Sequence, residues 1–280
     1  MSPTLRKALR RKNLVIGGAI TLVVVLTAIF APLLAPYDPI NDADLMHSEE
    51  PPSRTFLFGT DNQGRDILSR VIYGARISLS VGLVTQSLNS LIGILLGLTA
   101  GFIGKWWDDL VMGLTNVMLS IPALIFALAI MAVLGPGLLN VFVALGFTNW
   151  SYSCRITRSQ VLGARSLDYV TAARALGEGR TRIMLLQILP NVVGPILVVA
   201  TLGVAFAILI EASLSFLGLG AQPPTPSWGG MLSTAREQLF TAPWISIFPG
   251  VAIFITVLGL NLLGDGLRDV LDPHTIRQRQ

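Results

Sequence analysis

Between Leu110 and Cys154 the chain carries no Asp, Glu, Lys or Arg, and residues 13–37, 77–104 and 190–210 are equally free of charge. A helix rises about 1.5 Å per residue, so roughly 20 apolar residues cross the hydrocarbon core of a bilayer. Inside a bilayer every backbone polar group must be satisfied within the protein, and runs of this kind do so as helices. Composition agrees: 52% hydrophobic against 13% charged residues, with a mean hydropathy of +0.67, excludes an ordinary soluble domain. The expected fold class is an all-α membrane protein.

Arg6, Lys7, Arg10, Arg11 and Lys12 precede the first run. Its apolar part is too long for a cleaved signal peptide, and Pro32 and Pro36 crowd the region of a cleavage site, so Leu14 to Leu34 reads as a retained span. Residues 38–76 form a polar connection holding Asp38, Asp42, Asp44, Glu49, Glu50 and Pro51-Pro52. Within it, Phe58-Gly59-Thr60-Asp61 and Gly64-Arg65-Asp66 lead into a helical pattern with Ile67, Leu68, Val71 and Ile72 on one face. That pattern fits either an interfacial amphipathic helix or a surface helix packed on the spans. Asp66 and Arg70 have the i,i+4 spacing of an exposed ion pair.

Gly93, Gly97 and Gly101 lay a smooth stripe along the next run, which permits close helix–helix approach. Lys105-Trp106-Trp107-Asp108-Asp109 reads as a short polar turn with aromatics at interfacial depth. The stretch from Leu110 to Cys154 exceeds one span, and Gly135-Pro136-Gly137 divides it into two helices. After Pro190 the apolar run reaches Ile210, is interrupted by Glu211, and resumes through Leu219. Turn formers fill 223–230, and the last span lies within Ala242 to Leu263. The expectation is six transmembrane helices with both termini cytoplasmic. Under that topology all of the 20 Lys and Arg except Arg54, Arg65, Arg70, Arg76 and Arg236 lie on the cytoplasmic side. The chain divides into 1–76 (tail, first span and outer connection), a five-helix core over 77–268 with a loop at 155–190, and a tail at 269–280.

The loop is the most informative polar segment. Ser166 is placed to cap a helix, Asp168 suits its positive end, and Ala172, Ala173, Ala175 and Leu176 favour helix. Gly177 is placed to leave that helix in a left-handed conformation. A second short helix then runs from Thr181 to Leu189 and stops at Pro190. The small Ala face would let another protein approach closely.

Thr171-Ala172-Ala173, Gly177 four residues on, and Gln187-Ile188-Leu189-Pro190 together resemble the cytoplasmic signature of ABC importer permeases. Thr171 stands where the family has an acid, and Gln187 where it has Ile. The run Phe58 to Asp66 with Tyr73-Gly74-Ala75-Arg76, and Glu211 to Gly220 followed by Pro224 to Gly230, are similar to the dipeptide, oligopeptide and nickel branch. The resemblance covers nearly the whole chain. It implies a type I importer permease fold and a C-type permease subunit translocating di- or oligopeptides across a bacterial or archaeal cytoplasmic membrane. The implied partners are a homologous permease subunit, two nucleotide-binding ATPase subunits, an extracytoplasmic binding protein and membrane lipid. By the same resemblance the loop is a coupling helix, with Tyr169, Thr171, Ala172, Ala173, Arg174, Gly177, Leu189 and Pro190 as its ATPase-coupling residues.

Catalytic, metal and cofactor sites are not expected. Lys105 lacks the glycine spacing and hydroxyl residue of a phosphate loop. His47 and His274 lie in polar segments away from any intramembrane carboxylate cluster, and no metal-ligand spacing occurs. Cys154, the single cysteine, excludes a disulfide framework and reads as buried. The arginines flank apolar spans without interleaved aromatics, which gives no sign of nucleic-acid binding. A secondary transporter or channel would ordinarily carry intramembrane ionisable residues, for which Glu211 is the one candidate. Glu211 either pairs with a neighbouring span near the outer interface or lines the translocation pathway.

Overall fold

The computed structural model describes residues 11–271, so Arg6, Lys7, Arg10, Asp272, His274, Arg277 and Arg279 lie outside the described residues. Ten helices carry the architecture: α1 (Lys12–Ile29), α2 (Ile67–Ile103), α3 (Lys105–Ser120), α4 (Ala123–Leu134), α5 (Leu138–Gly146), α6 (Trp150–Ala164), α7 (Asp168–Ala175), α8 (Leu189–Phe216), α9 (Trp228–Thr234) and α10 (Trp244–Leu271). No strand occurs among the described residues.

Four helical segments are long and apolar enough to cross a membrane: α1, α2, Arg180–Phe216 and α10. A fifth is reached if α3 and α4, which meet at 88°, are taken as one broken span. The expected count of six is therefore not met helix by helix. Gly135-Pro136-Gly137 does separate two helices, but Ile121-Pro122 and residues 147–149 add breaks on either side. Proline removes a backbone donor and clashes with the preceding turn, which accounts for the break at Pro122.

The connection and the second span prove to be physically one piece. α2 runs unbroken for 37 residues, so the apolar face at Ile67 and Ile72 is the buried start of a long helix. Asp66 and Arg70 do not form an exposed pair. The Asp66 carboxylate caps α2, accepting from the Ser69 amide at 2.7 Å and its hydroxyl at 2.6 Å. Arg70 is buried, faces Asp61 at 3.4 Å and donates to the Pro39 carbonyl at 2.8 Å. Thr60 donates to the His47 carbonyl and accepts from the Glu50 amide, while Phe58 stacks on Phe248 of α10 at 3.9 Å. The Phe-Gly-Thr-Asp run is thus a buried clasp holding the start of α2 to the last span. An Asp66→Ala variant should lose the cap and about 1 kcal/mol of stability, read as a lowered melting midpoint of the solubilised chain.

His47 in the same segment meets Glu50 at 2.7 Å, which holds the imidazole above its usual range. That pairing contributes below the ordinary histidine value and is lost as pH rises through the raised one.

The glycine stripe predicted on α2 packs on α6. A Cβ at Gly93 would stand 2.5 Å from Ser153 Cβ, at Gly97 2.5 Å from the Cys154 carbonyl, and at Gly101 2.9 Å from Val161 Cβ. In a bilayer no hydrophobic effect pulls helices together, so close backbone approach of this kind supplies the dispersion contact that does. Cys154 is buried in that seam, as expected. Lys105-Trp106-Trp107-Asp108-Asp109 is not a turn. The reversal is made by Gly104 and Lys105, both at positive φ, and Lys105 to Asp109 open α3. There the Asp108 carboxylate accepts from Arg158 Nε and, at 2.6 Å, from Nη2, tying α3 to α6.

Candidate functional site

α7 forms from the Ala-rich stretch expected, but its entry differs. Leu167, not Ser166, is the N-terminal boundary residue; the Ser166 hydroxyl bonds back to the Gly163 carbonyl at 3.1 Å. Ser166 sits one residue too early to reach the free amides of the first turn, which a cap must do. The exit is the one the sequence predicts. Gly177 has φ +81°, its amide donates to Arg174, and the Glu178 amide donates to Ala173 at 3.1 Å. This 6→1 and 5→2 pair is a Schellman motif, which satisfies carbonyls that a helix end leaves open.

Pro190 does not end the second helix. Arg180–Arg182 is followed by a π-helical stretch, Ile183–Ile188, which runs directly into α8 with Pro190 in its first turn. A proline ring collides with the carbonyl four residues back, and a wider π turn just before it gives the ring room. The Asn191 side chain donates to the Gln187 carbonyl at 2.7 Å. Arg180–Phe216 is therefore one continuous helical segment.

The two faces of α7 differ sharply. Val170 and Ala173 are buried with Ile183, Ile188, Leu98 and Val161, and Tyr169 packs at the edge of that cluster. Ala173 thus serves the chain's own core and does not belong to an open small-residue face. Thr171, Ala172, Arg174, Ala175 and Gly177 are exposed, and Leu176 is 83% exposed. Arg174 lies over the Phe102 ring at 5.4 Å, and Arg165 Nη1 donates to the Gly101 carbonyl near the C-terminus of α2 at 2.8 Å. Leu189 is partly buried against the cluster and Pro190 is exposed. α7 accordingly packs where the ends of α2, α6 and α8 meet. The sequence signal for the exposed Leu176 is a leucine placed just before the glycine exit.

Glu211 does not interrupt a helix. It lies inside α8, fully buried, accepting from Ser215 at 2.6 Å and from Ser78 of α2 at 3.3 Å. Around it the Trp228-Gly229 pair closes the packing: Trp228 Nε1 donates to the Val71 carbonyl at 2.9 Å, and Gly229 abuts the α8 backbone at Ala212. Ser227 is buried as the cap of α9. Among the described residues no group of three His, Cys, Asp or Glu is placed to hold a metal.

Comparison with known proteins bears on the whole chain. Residues 93–277 match the family described as "Binding-protein-dependent transport system inner membrane component", and residues 3–52 match "N-terminal TM domain of oligopeptide transport permease C". The "Di/tripeptide transport system permease protein DppC" of Pseudomonas aeruginosa is 47% identical, over 92% of this chain and 87% of its own. The "Dipeptide transport system permease protein DppC" of Alkalihalophilus pseudofirmus is 45% identical, over 95% and 88%. The "Glutathione transport system permease protein GsiD" of Pectobacterium atrosepticum is 41% identical, over 96% and 89%. Among solved structures, a chain of the MetNI methionine ABC transporter in an inward-facing conformation is similar, with a TM-score of 0.58 and 19% identity, covering 73% of this chain and 97% of that one. This last likeness is one of fold.

Proposed function

We propose the role of peptide-translocating permease subunit for this chain, which belongs to the family of inner membrane components of binding-protein-dependent transport systems. The reading is a subunit of an ATP-binding-cassette importer in the cytoplasmic membrane, moving di- or oligopeptides with energy from ATP hydrolysed on partner subunits. The partners are a homologous permease subunit, two ATPases and an extracytoplasmic binding protein. The observation that carries it is α7: a short helix with an uncovered Leu176, its buried face packed on two membrane-length helical segments. ATP-driven closure of the ATPases moves this coupling helix, and the spans follow, opening to the outer face.

Six crossings are obtained by pairing α3 with α4 and α5 with α6 as broken spans, each bent where Pro122 and residues 147–149 interrupt the helix. Both termini are then cytoplasmic, α7 is inside and α9 is outside. Thiol labelling tests this cleanly, because the native Cys154 is buried. Ser227 is too buried to report, whereas Gln222 and Thr181 are exposed. With a membrane-impermeant maleimide, Gln222→Cys should label in intact cells and Thr181→Cys only after lysis. Labelling of both from outside would remove the six-crossing arrangement. For the function, proteoliposomes holding the assembled transporter should accumulate radiolabelled dialanine only with ATP and binding protein; uptake independent of ATP would refute it.

A further inference from the structure

Midway along α2 the neutral side chain of Gln86 is almost wholly buried, at 3% exposure, yet its Oε1 has no hydrogen-bond partner. Its Nε2 donates to Ser90 at 3.0 Å, so the carbonyl end alone lacks a partner. A buried acceptor without a donor costs free energy, which a water or a bound molecule that donates to it would recover. Gln86 lines a cavity of about 490 Å³ walled by α2, α6, α8 and α10. That volume is within the roughly 300–1,000 Å³ of small-molecule sites.

The other polar groups of the cavity are Asn149, Tyr152 and Asn261, set among aliphatic and aromatic residues such as Leu202 and Phe206. No lining residue is charged. The Asn149 backbone is positioned by its neighbour in the fold: Asn89 Oδ1 accepts from the Asn149 main-chain N–H at 3.0 Å, and Asn89 Nδ2 donates to the Leu145 carbonyl at 2.9 Å. Gly203 fixes Gln86 from the other side, since a Cβ there would stand 2.3 Å from its Oε1. Asn261 is exposed on a helix of membrane length, where an amide facing lipid would be costly.

We infer that this cavity is an intramembrane subsite for the uncharged main-chain amides of a passing peptide. Each peptide unit offers one donor and one acceptor, which match side-chain amides and a phenol, whereas charged termini or side chains find no counter-ion here. Neutral amides suit an importer that takes peptides of varied side chains, because the main chain is the part they share. The inference rests on the peptide reading above and adds the residues that meet the substrate.

The test uses the assembled transporter in proteoliposomes with radiolabelled dialanine, scoring peptide transported per ATP hydrolysed. Gln86→Leu and Asn261→Leu should lower that ratio roughly tenfold, the effect of losing one hydrogen bond at a desolvated site, while Asn261→Gln retains it. Unchanged ratios in both leucine variants would overturn the subsite and leave the peptide reading standing. Absence of dialanine uptake by the wild type would remove both. Packing damage would instead lower uptake and ATP hydrolysis together and leave the ratio intact, which also counts against the subsite. As a second measurement, Asn261→Cys should react with a water-soluble methanethiosulfonate and be protected by dialanine. Reaction only with a lipid-soluble maleimide would make the cavity a lipid groove.

Discussion

Gly97→Val is expected to abolish recovery of folded chain from the membrane. The new Cβ would stand 2.5 Å from the Cys154 carbonyl, 2.8 Å from Thr157 Cβ and 3.0 Å from the Arg158 amide. Overpacking against movable side chains costs about 1–3 kcal/mol, and two of these three neighbours are backbone atoms of α6 that cannot rotate away. The helices must separate, and separation uncovers Thr157, whose fully buried hydroxyl lies in the same seam. Gly113→Val in α3 and Gly163→Val in α6 are the matched controls, because nothing lies within 4 Å of a Cβ at either site. Detergent extraction followed by size-exclusion chromatography should give a single peak for both controls and aggregate for Gly97→Val. A normal peak for Gly97→Val would mean that the α2–α6 seam is not tightly closed.

Leu176→Asp is expected to leave folding unchanged and to uncouple the subunit from its ATPases. The side chain is 83% exposed and contributes nothing to the cluster beneath α7, so a charge there costs the isolated chain little. Placed in a docking cleft, the same charge would be desolvated and unpaired. Losing a central apolar anchor typically costs 2 kcal/mol or more, roughly a thirtyfold weaker complex. Ala172→Phe, also on the exposed face, should act in the same direction by overfilling the cleft. Ala173→Phe is a different experiment: Ala173 is buried, and its enlargement damages the chain's own core. Gly177→Val meets open space but needs φ +81°, which costs an L-residue about 1–2 kcal/mol and loosens the end of α7. The measurements are co-purification of the ATPases and binding-protein-stimulated ATP hydrolysis. Wild-type values for both Leu176→Asp and Ala172→Phe would take the docking role away from this helix.

Several features are legible in the sequence itself. The apolar runs give membrane helices because a bilayer leaves the backbone no other way to satisfy its hydrogen bonds. Gly177 marks a left-handed exit, and Gly93, Gly97 and Gly101 mark a close-packed face, because both readings depend only on the absence of a Cβ at a fixed local spacing. The relatives' names agree with the family read from the Phe58–Asp66, Thr171–Pro190 and Glu211–Gly230 motifs.

What the sequence left open concerns partners distant along the chain. Asp66 and Arg70 have the spacing of an ion pair, yet one caps α2 and the other is drawn inward to Asp61 and Pro39. Pro190 has the look of a stop, yet the π turn before it lets the helix continue. Ala172 and Ala173 are indistinguishable as letters, and only the packing of α7 on Ile183 and Ile188 decides which one is exposed. Gln86 and Asn261 carry no signal in the sequence, because lone amides in apolar runs are common; their meaning depends on a cavity whose walls come from four helices. Hydropathy and local backbone chemistry are properties of neighbouring residues, so the sequence alone determined the class, the apolar runs and the left-handed exit at Gly177. Burial, pairing and cavities are set by residues far apart in the chain, and those only the tertiary structure decided.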